Sequence, residues 1–189
     1  RSGVVDRVVL SSDDPEIIAA ARAAAIDVPF VRPAALAQDD TPMLPVIEDA
    51  VRRLEEEGWP VEIVVLLQPT SPLRTSEHIA RAVTLLRTSG ADSVVTVVEV
   101  PRHLSPDYVM KVEGGRLKPF LPEGERVTRR QDARLAYVRD GTVYTFWRRT
   151  LSGHGSIYGG DCRPLVIPAT ESLTIDTPED WAEAERRFA

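Results

Sequence analysis

The chain has 189 residues, 43% of them hydrophobic, with a formal net charge of −6 and no Lys/Arg-rich block; that suits one domain with a real core and a protruding lobe, and argues against a nucleic-acid polymer as partner. No apolar run reaches membrane-spanning length and no secretory signal opens the chain, so a protein away from the membrane is expected. Cys162 is the only cysteine, which excludes an intrachain disulfide and fits a reducing cytoplasm, and the scattered His78, His103 and His154 argue against a zinc site.

In chain order, residues 4–11 crowd Val4, Val5, Val8, Val9 and Leu10 into a predicted buried strand. Ser12 and Asp13 precede Pro15, a cap and early proline that open a predicted Ala-rich helix over 16–26. Residues 28–31 read as a short strand. Leu44, Val46, Ile47, Val51 and Leu54 recur at helical spacing, and Gly58 ends the helix predicted over 44–58. Residues 61–67, between Pro60 and Pro69, form the strongest apolar run and read as a strand covered on both faces. A helix over 76–89 stopped by Gly90, and a buried strand over 92–98, complete an alternation that predicts a mostly parallel sheet sandwiched by helices. The alternation breaks at 101–135, where Gly114-Gly115 separates strand-like pieces at 108–112 and 117–120 and suggests an inserted β-hairpin lobe. Residues 137–146 and 164–167 return to strand, and Thr177 caps a closing helix over 178–188.

The strongest strand runs into Leu66-Leu67-Gln68-Pro69-Thr70-Ser71-Pro72-Leu73-Arg74 just ahead of a helix. In open α/β sheets ligands bind outside the carboxyl ends of strands. Gln68, Thr70 and Ser71 offer amide and hydroxyl groups suited to sugar hydroxyls; the residues alone equally allow a proline-stiffened turn before a capped helix. This run resembles a near-signature of the acylneuraminate cytidylyltransferase family. Val8-Val9-Leu10-Ser11-Ser12-Asp13-Asp14 is similar to that family's second strand and turn, and Arg32-Pro33-Ala34-Ala35-Leu36-Ala37 to its Arg-Pro-Ala-Glu-Leu-Ala stretch. Arg130-Gln131-Asp132, Gly141-Thr142-Val143-Tyr144, Tyr158-Gly159-Gly160 and Ser172-Leu173-Thr174-Ile175-Asp176-Thr177 follow in the family's order. The resemblance implies one domain over 1–189 with a three-layer α/β/α, nucleotide-diphospho-sugar-transferase-like (Rossmann-like) fold, in which 101–135 is a homodimerisation lobe.

It also implies a chemistry: transfer of CMP from CTP to the anomeric hydroxyl of a sialic-acid-type keto sugar acid, with release of pyrophosphate. Phosphoryl chemistry of this kind uses a hard cation with oxygen ligands, usually Mg²⁺. The resemblance makes Asp176 the catalytic metal ligand, within reach of Gln68, although Asp176 alone also reads as a cap for the helix at Pro178. Thr174 stands where the family usually has a second acid. Arg32 matches a position near the cytidine, and backbone groups around Pro42 and Met43 would read the cytosine edge. For the sugar, the resemblance implies Gln68, Thr70, Ser71, Arg130 (from the neighbouring subunit), Gln131, Arg139, Asp140, Tyr144 and Tyr158. An arginine suits the sugar's carboxylate because its planar fork binds that group in two places. Asp140 stands where asparagine is common, and both tyrosines also read as core residues with their hydroxyls at the surface.

The family's opening strand, arginine-serine-lysine loop and helix find no match, and residues 1–6 resemble the end of that helix. Residues 1–189 by themselves are therefore expected to be inactive towards CTP and to leave an open edge in the sheet. Two further readings stay open: a cytidylyltransferase for a different acidic sugar, and a catalytically silent dimerisation or binding domain.

Overall fold

The computed structural model describes residues 2–127 and 129–188. Arg1 and Ala189, the ends of the expected domain, and Thr128, in the expected lobe, lie outside the described residues. The chain divides into two compact units. One comprises Arg1–Leu66, Thr75–Val94 and Tyr144–Arg163; the other comprises Leu67–Arg74, Val95–Val143 and Pro164–Ala189.

In the first unit, helix α1 spans Pro15–Ala23. The Asp14 carboxylate accepts from the N–H groups of Glu16 (2.7 Å) and Ile17 (2.9 Å), closing the helix start. Helix α2, Met43–Glu56, buries Val46, Ile47, Val51 and Leu54, the residues whose spacing predicts it. Helix α3, Ser76–Ser89, coincides with its prediction. Its cap is reciprocal: Thr75 Oγ1 accepts from the His78 N–H, and His78 Nδ1 accepts from the Thr75 N–H, both at 3.3 Å. Gly90 ends α3 at φ +73°, a left-handed position that suits glycine.

Strand β1, Ile63–Leu66, pairs antiparallel with strand β5, Tyr137–Trp147, from Ile63 opposite Trp147 to Leu66 opposite Tyr144. With β2 (Ser93–Glu99) and β6 (Cys162–Val166) they form a sheet of order β1-β5-β2-β6. The β1–β5 pair makes the sheet mixed. Ile47, Val51, Phe146 and Leu151 form one core cluster of this unit, flanked by Leu44, Val61, Val64, Leu66 and Ile157.

Three expectations change here. The strand predicted over 4–11 reduces to one parallel bridge, Val9 to Asp27, supported by the Leu10 N–H on the Asp27 carbonyl at 2.8 Å. The strand predicted over 28–31 does not form. An apolar run becomes a strand only where a neighbour takes its backbone groups; among the described residues these segments have that single bridge, and Val8 is exposed. The run at 61–67 shortens to β1, which is half-buried rather than covered on both faces, because it lies at the edge of the sheet. A short helix, α4 (Arg148–His154), was not predicted, since its sequence has no apolar period.

In the second unit, β3 (Met110–Glu113) and β4 (Arg116–Pro119) make the predicted antiparallel hairpin. Gly114 and Gly115 sit at φ +59° and +73°, as a two-residue turn with both central residues left-handed requires. Helix α5 spans Pro178–Phe188. Thr177 Oγ1 accepts from the Asp180 N–H at 3.2 Å, and the Asp180 carboxylate accepts from the Thr177 N–H at 2.9 Å. Among the described residues no helix is long and apolar enough to cross a membrane.

Asp107 holds the two ends of the lobe together. Its buried carboxylate accepts from the Arg134 N–H (2.8 Å), Nε (2.9 Å) and Nη2 (2.5 Å). These bonds hold its carboxyl below the usual carboxylate range, the Arg134 side chain contributing most. A carboxyl whose folded pKa is depressed adds stability above its unfolded pKa and loses it as pH falls through the folded value. Asp107→Asn should therefore lower stability at neutral pH and make the loss of stability between about pH 5 and pH 2 less steep. Urea midpoints measured across that range check this; parallel curves for the two proteins would contradict it.

Candidate active site

Two segments of the second unit, 140–142 and 174–175, meet at the turn that follows β1. Within that turn, the Ser71 N–H donates to the Gln68 carbonyl at 3.3 Å, while Pro69 and Pro72 stiffen the backbone. Buried Ser71 donates through Oγ to the Asp140 carbonyl at 3.5 Å, and Thr174 Oγ1 donates to the same carbonyl at 3.0 Å. The Ile175 N–H donates to the Thr70 carbonyl at 2.9 Å. Asp140 is buried, and its carboxylate turns back onto Thr142, accepting from the N–H at 3.2 Å and from Oγ1 at 2.5 Å. Arg74, half-buried, donates through Nε to the Thr142 carbonyl at 2.6 Å and through Nη2 to the Gln68 carbonyl.

Gly141 lies at the centre of this arrangement. At φ +79° it occupies a conformation that side chains rarely adopt, and a β-carbon there would fall 2.6 Å from Gln68 Oε1 and 3.0 Å from Ser71 Oγ. The Gln68 amide is thus laid against the Gly141 α-carbon. Gln68, Thr70, Ser71, Asp140 and Asp176 are gathered in one unit, Asp176 one residue beyond the backbone bond to Thr70. Asp176 is exposed, and its N–H donates to the Asp180 carboxylate at 3.1 Å, so Asp180 with Thr177 closes the start of α5. Arg130 and Gln131 lie exposed in a single helical turn, where Arg129 pairs with Asp132 at 2.7 Å, and Arg139 is exposed on β5.

The remaining predicted residues belong to the first unit. Arg32 donates through Nε to Ser11 Oγ at 3.1 Å and through Nη2 to the Ser11 carbonyl, which ties it to the turn after Leu10. Pro42 precedes α2 and Met43 opens it, both exposed. Tyr144 and Tyr158 meet edge to face with ring centres 6.5 Å apart. The Tyr158 turn is clamped by residues the sequence reading missed. Ser93 Oγ donates to the Tyr158 carbonyl at 2.6 Å, and the Asp92 carboxylate accepts from the N–H groups of Gly160 (2.8 Å) and Asp161 (3.0 Å). Those two backbone bonds pull the Asp92 carboxyl below its usual range. Arg74, which bridges the Gln68 and Thr142 carbonyls, was also missed; its signal was its place as the one cation in the proline-stiffened run.

Among the described residues no group of three His, Cys, Asp or Glu side chains gathers as a ready-made metal cage. Mg²⁺ at nucleotide sites is commonly held by one or two carboxylates together with substrate phosphates. A single exposed carboxylate such as Asp176 suits that mode of binding.

A family model described as cytidylyltransferase matches residues 1–186. The chain belongs to the cytidylyltransferase family. This cytidylyltransferase-family chain is 29% identical over 189 residues to the CMP-N,N'-diacetyllegionaminic acid synthase of Legionella pneumophila, covering 98% of this chain and 79% of that relative. It is 30% identical over 190 residues to N-acylneuraminate cytidylyltransferase A of Danio rerio, covering 98% of this chain and 42% of the relative. Among solved structures it resembles CMP:2-keto-3-deoxy-manno-octonic acid synthetase complexed with CTP, with a TM-score of 0.67, 15% identity, and coverage of 97% and 81% of the two chains. That likeness bears out the three-layer α/β nucleotidyltransferase fold, and the family match bears out the resemblance read from the sequence.

Gly141→Ala should destabilise the protein by about 1–3 kcal/mol, the usual range for a side chain forced into a sparsely populated backbone region. A crystal structure of the variant should show the Gln68 amide swung away from residue 141. An unchanged urea midpoint with Gln68 in place would refute the close approach.

Proposed function

We propose that this chain forms the catalytic body of a cytidylyltransferase that joins CMP, taken from CTP, to a nine-carbon sialic-acid-type keto sugar acid. The observation that carries this reading is the bond from the Ile175 N–H to the Thr70 carbonyl, which ties the residue before exposed Asp176 to the backbone of the turn that carries Gln68 and Thr70. Support comes from relatives named for N,N'-diacetyllegionaminic acid and for N-acylneuraminate.

In this reading the anomeric oxygen of the sugar acid attacks the α-phosphorus of CTP. A new P–O bond forms, the bond to the leaving pyrophosphate breaks, and the hydroxyl proton passes to solvent. Mg²⁺, when bound by Asp176 and the substrate phosphates, supplies charge neutralisation at the α-phosphate and the leaving group. Gln68 and Thr70 orient the sugar by its hydroxyls, together with Gln131, while Ser71 and Asp140, implied as sugar contacts by the resemblance, are buried and spend their polar groups on the Asp140–Thr142 turn, which they hold in place. Arg139, with Arg130 from the neighbouring protomer, meets the sugar's carboxylate, and Tyr144 and Tyr158 line the sugar. Arg32 and the backbone at Pro42 and Met43 hold the cytidine. Exposed Cys162, the only cysteine, fits a cytoplasmic setting.

Pyrophosphate release by the full-length protein, with CTP and a panel of sugar acids, tests the reading. Release is expected with N-acetylneuraminic or N,N'-diacetyllegionaminic acid; release with 2-keto-3-deoxy-manno-octonic acid alone, or with none, would overturn it. Asp176→Asn should lower kcat/KM by roughly 100-fold or more, the scale of losing a charge-stabilising group, and Thr174→Ala by much less.

The hairpin supports a homodimer through 101–135. Val112 and Leu117 face each other across β3 and β4, yet are 73% and 66% exposed, beside exposed Val109, Met110 and Phe120. An apolar patch of this kind on an edge hairpin asks for a covering surface. Sedimentation at micromolar concentration should show a dimer, and Val112→Asp with Leu117→Asp should shift it to monomer. A monomeric unaltered protein would refute this.

A further inference from the structure

Arg74 has no part in the reaction as described, yet it is placed as if it governs the site. Its guanidinium is half-buried, and its hydrogen bonds go to the backbone carbonyls of Gln68 and Thr142. Burial pulls its pKa down and the neighbouring Asp140 carboxylate opposes this; an arginine in such a setting stays charged. A desolvated cation is costly unless well bonded, so its two carbonyl partners are held firmly. Those carbonyls belong to the residue whose amide lies against Gly141 and to the residue that receives the Asp140 carboxylate. One rigid planar group therefore sets the spacing between the Gln68 turn and the turn at 140–142.

We infer that Arg74 is a positioning residue for the acidic sugar: by bridging the Gln68 and Thr142 carbonyls it fixes the Gln68 amide against the Asp140–Thr142 turn, and so sets affinity for the sugar and not for the nucleotide. The inference rests on the proposed function insofar as Gln68 binds the sugar. Lysine keeps the charge but cannot reproduce a fork spanning two carbonyls. Arg148 supplies the comparison. It makes a forked pair with Glu55 in the other unit, at 2.9 Å and 3.2 Å, and has no role in the site.

Arg74→Lys and Arg148→Lys are compared in the full-length protein by thermal melting, by KM for each substrate, and by the NMR signals of the Gln68 side-chain amide. Arg74→Lys should raise the KM for the sugar acid roughly 10- to 100-fold, the scale of a misplaced orienting group, with the KM for CTP within about twofold. It should also move the Gln68 amide signals, whereas Arg148→Lys should lower the melting temperature with neither effect. An unchanged sugar KM in Arg74→Lys, or both KM values rising alike in the two variants, overturns the inference. If the unaltered protein releases no pyrophosphate with any sugar acid, the proposed function fails; the Gln68 signals then decide the positioning by themselves, and their staying in place refutes it.

Discussion

Everything described around the candidate site depends on Asp140 being buried without being left unsatisfied. A carboxylate and a carbonyl removed from water each cost free energy unless hydrogen-bonded. The carboxylate is satisfied locally by Thr142, two residues along, and the carbonyl by hydroxyls that arrive from two other segments, Ser71 and Thr174. This explains why small hydroxyl residues occupy 71, 142 and 174. It also gives Thr174 a physical role: a hydroxyl there donates to a carbonyl, which a carboxylate could not do. Position 174, where the resemblance read from the sequence implies an acid, is occupied in the structure by a fastener.

The first unit solves a related problem by other means. A core cluster that includes fully buried Phe146 fixes the strand that carries Tyr144. The turn carrying Tyr158 is held by Ser93, the first residue of β2, and by Asp92 just before it. A side chain on a turn is only as well placed as the bonds that hold the turn's backbone, and both tyrosines owe their edge-to-face contact to that support.

Elements whose determinants lie within a few residues of one another were legible in the sequence. The helix at 76–89, with threonine before it and glycine after it, and the hairpin around Gly114-Gly115 both appear where expected. The strand at 4–11 misled because an apolar run records willingness to pair, while pairing needs a neighbour; Val9 finds only Asp27. The polar row at 68–71 stood out by residue type. Arg74, Asp92 and Gly141 did not, because their importance lies in what they touch across 68 residues or more of chain or, for Gly141, in a space only a missing side chain leaves open.

The turn at Gly159 carries a consequence for how this chain can vary. A β-carbon at 159 would sit 2.4 Å from the β-carbon of Asp92, an atom every residue but glycine possesses. Shortening Asp92 to alanine would leave the obstruction in place. Position 159 is therefore closed to substitution for as long as 92 keeps any side chain, and giving up the side chain at 92 would abolish the carboxylate that fastens Gly160 and Asp161. The two positions form a locked pair: no series of single replacements leads from this turn to a different one without passing through a chain in which the Tyr158 loop is unfastened.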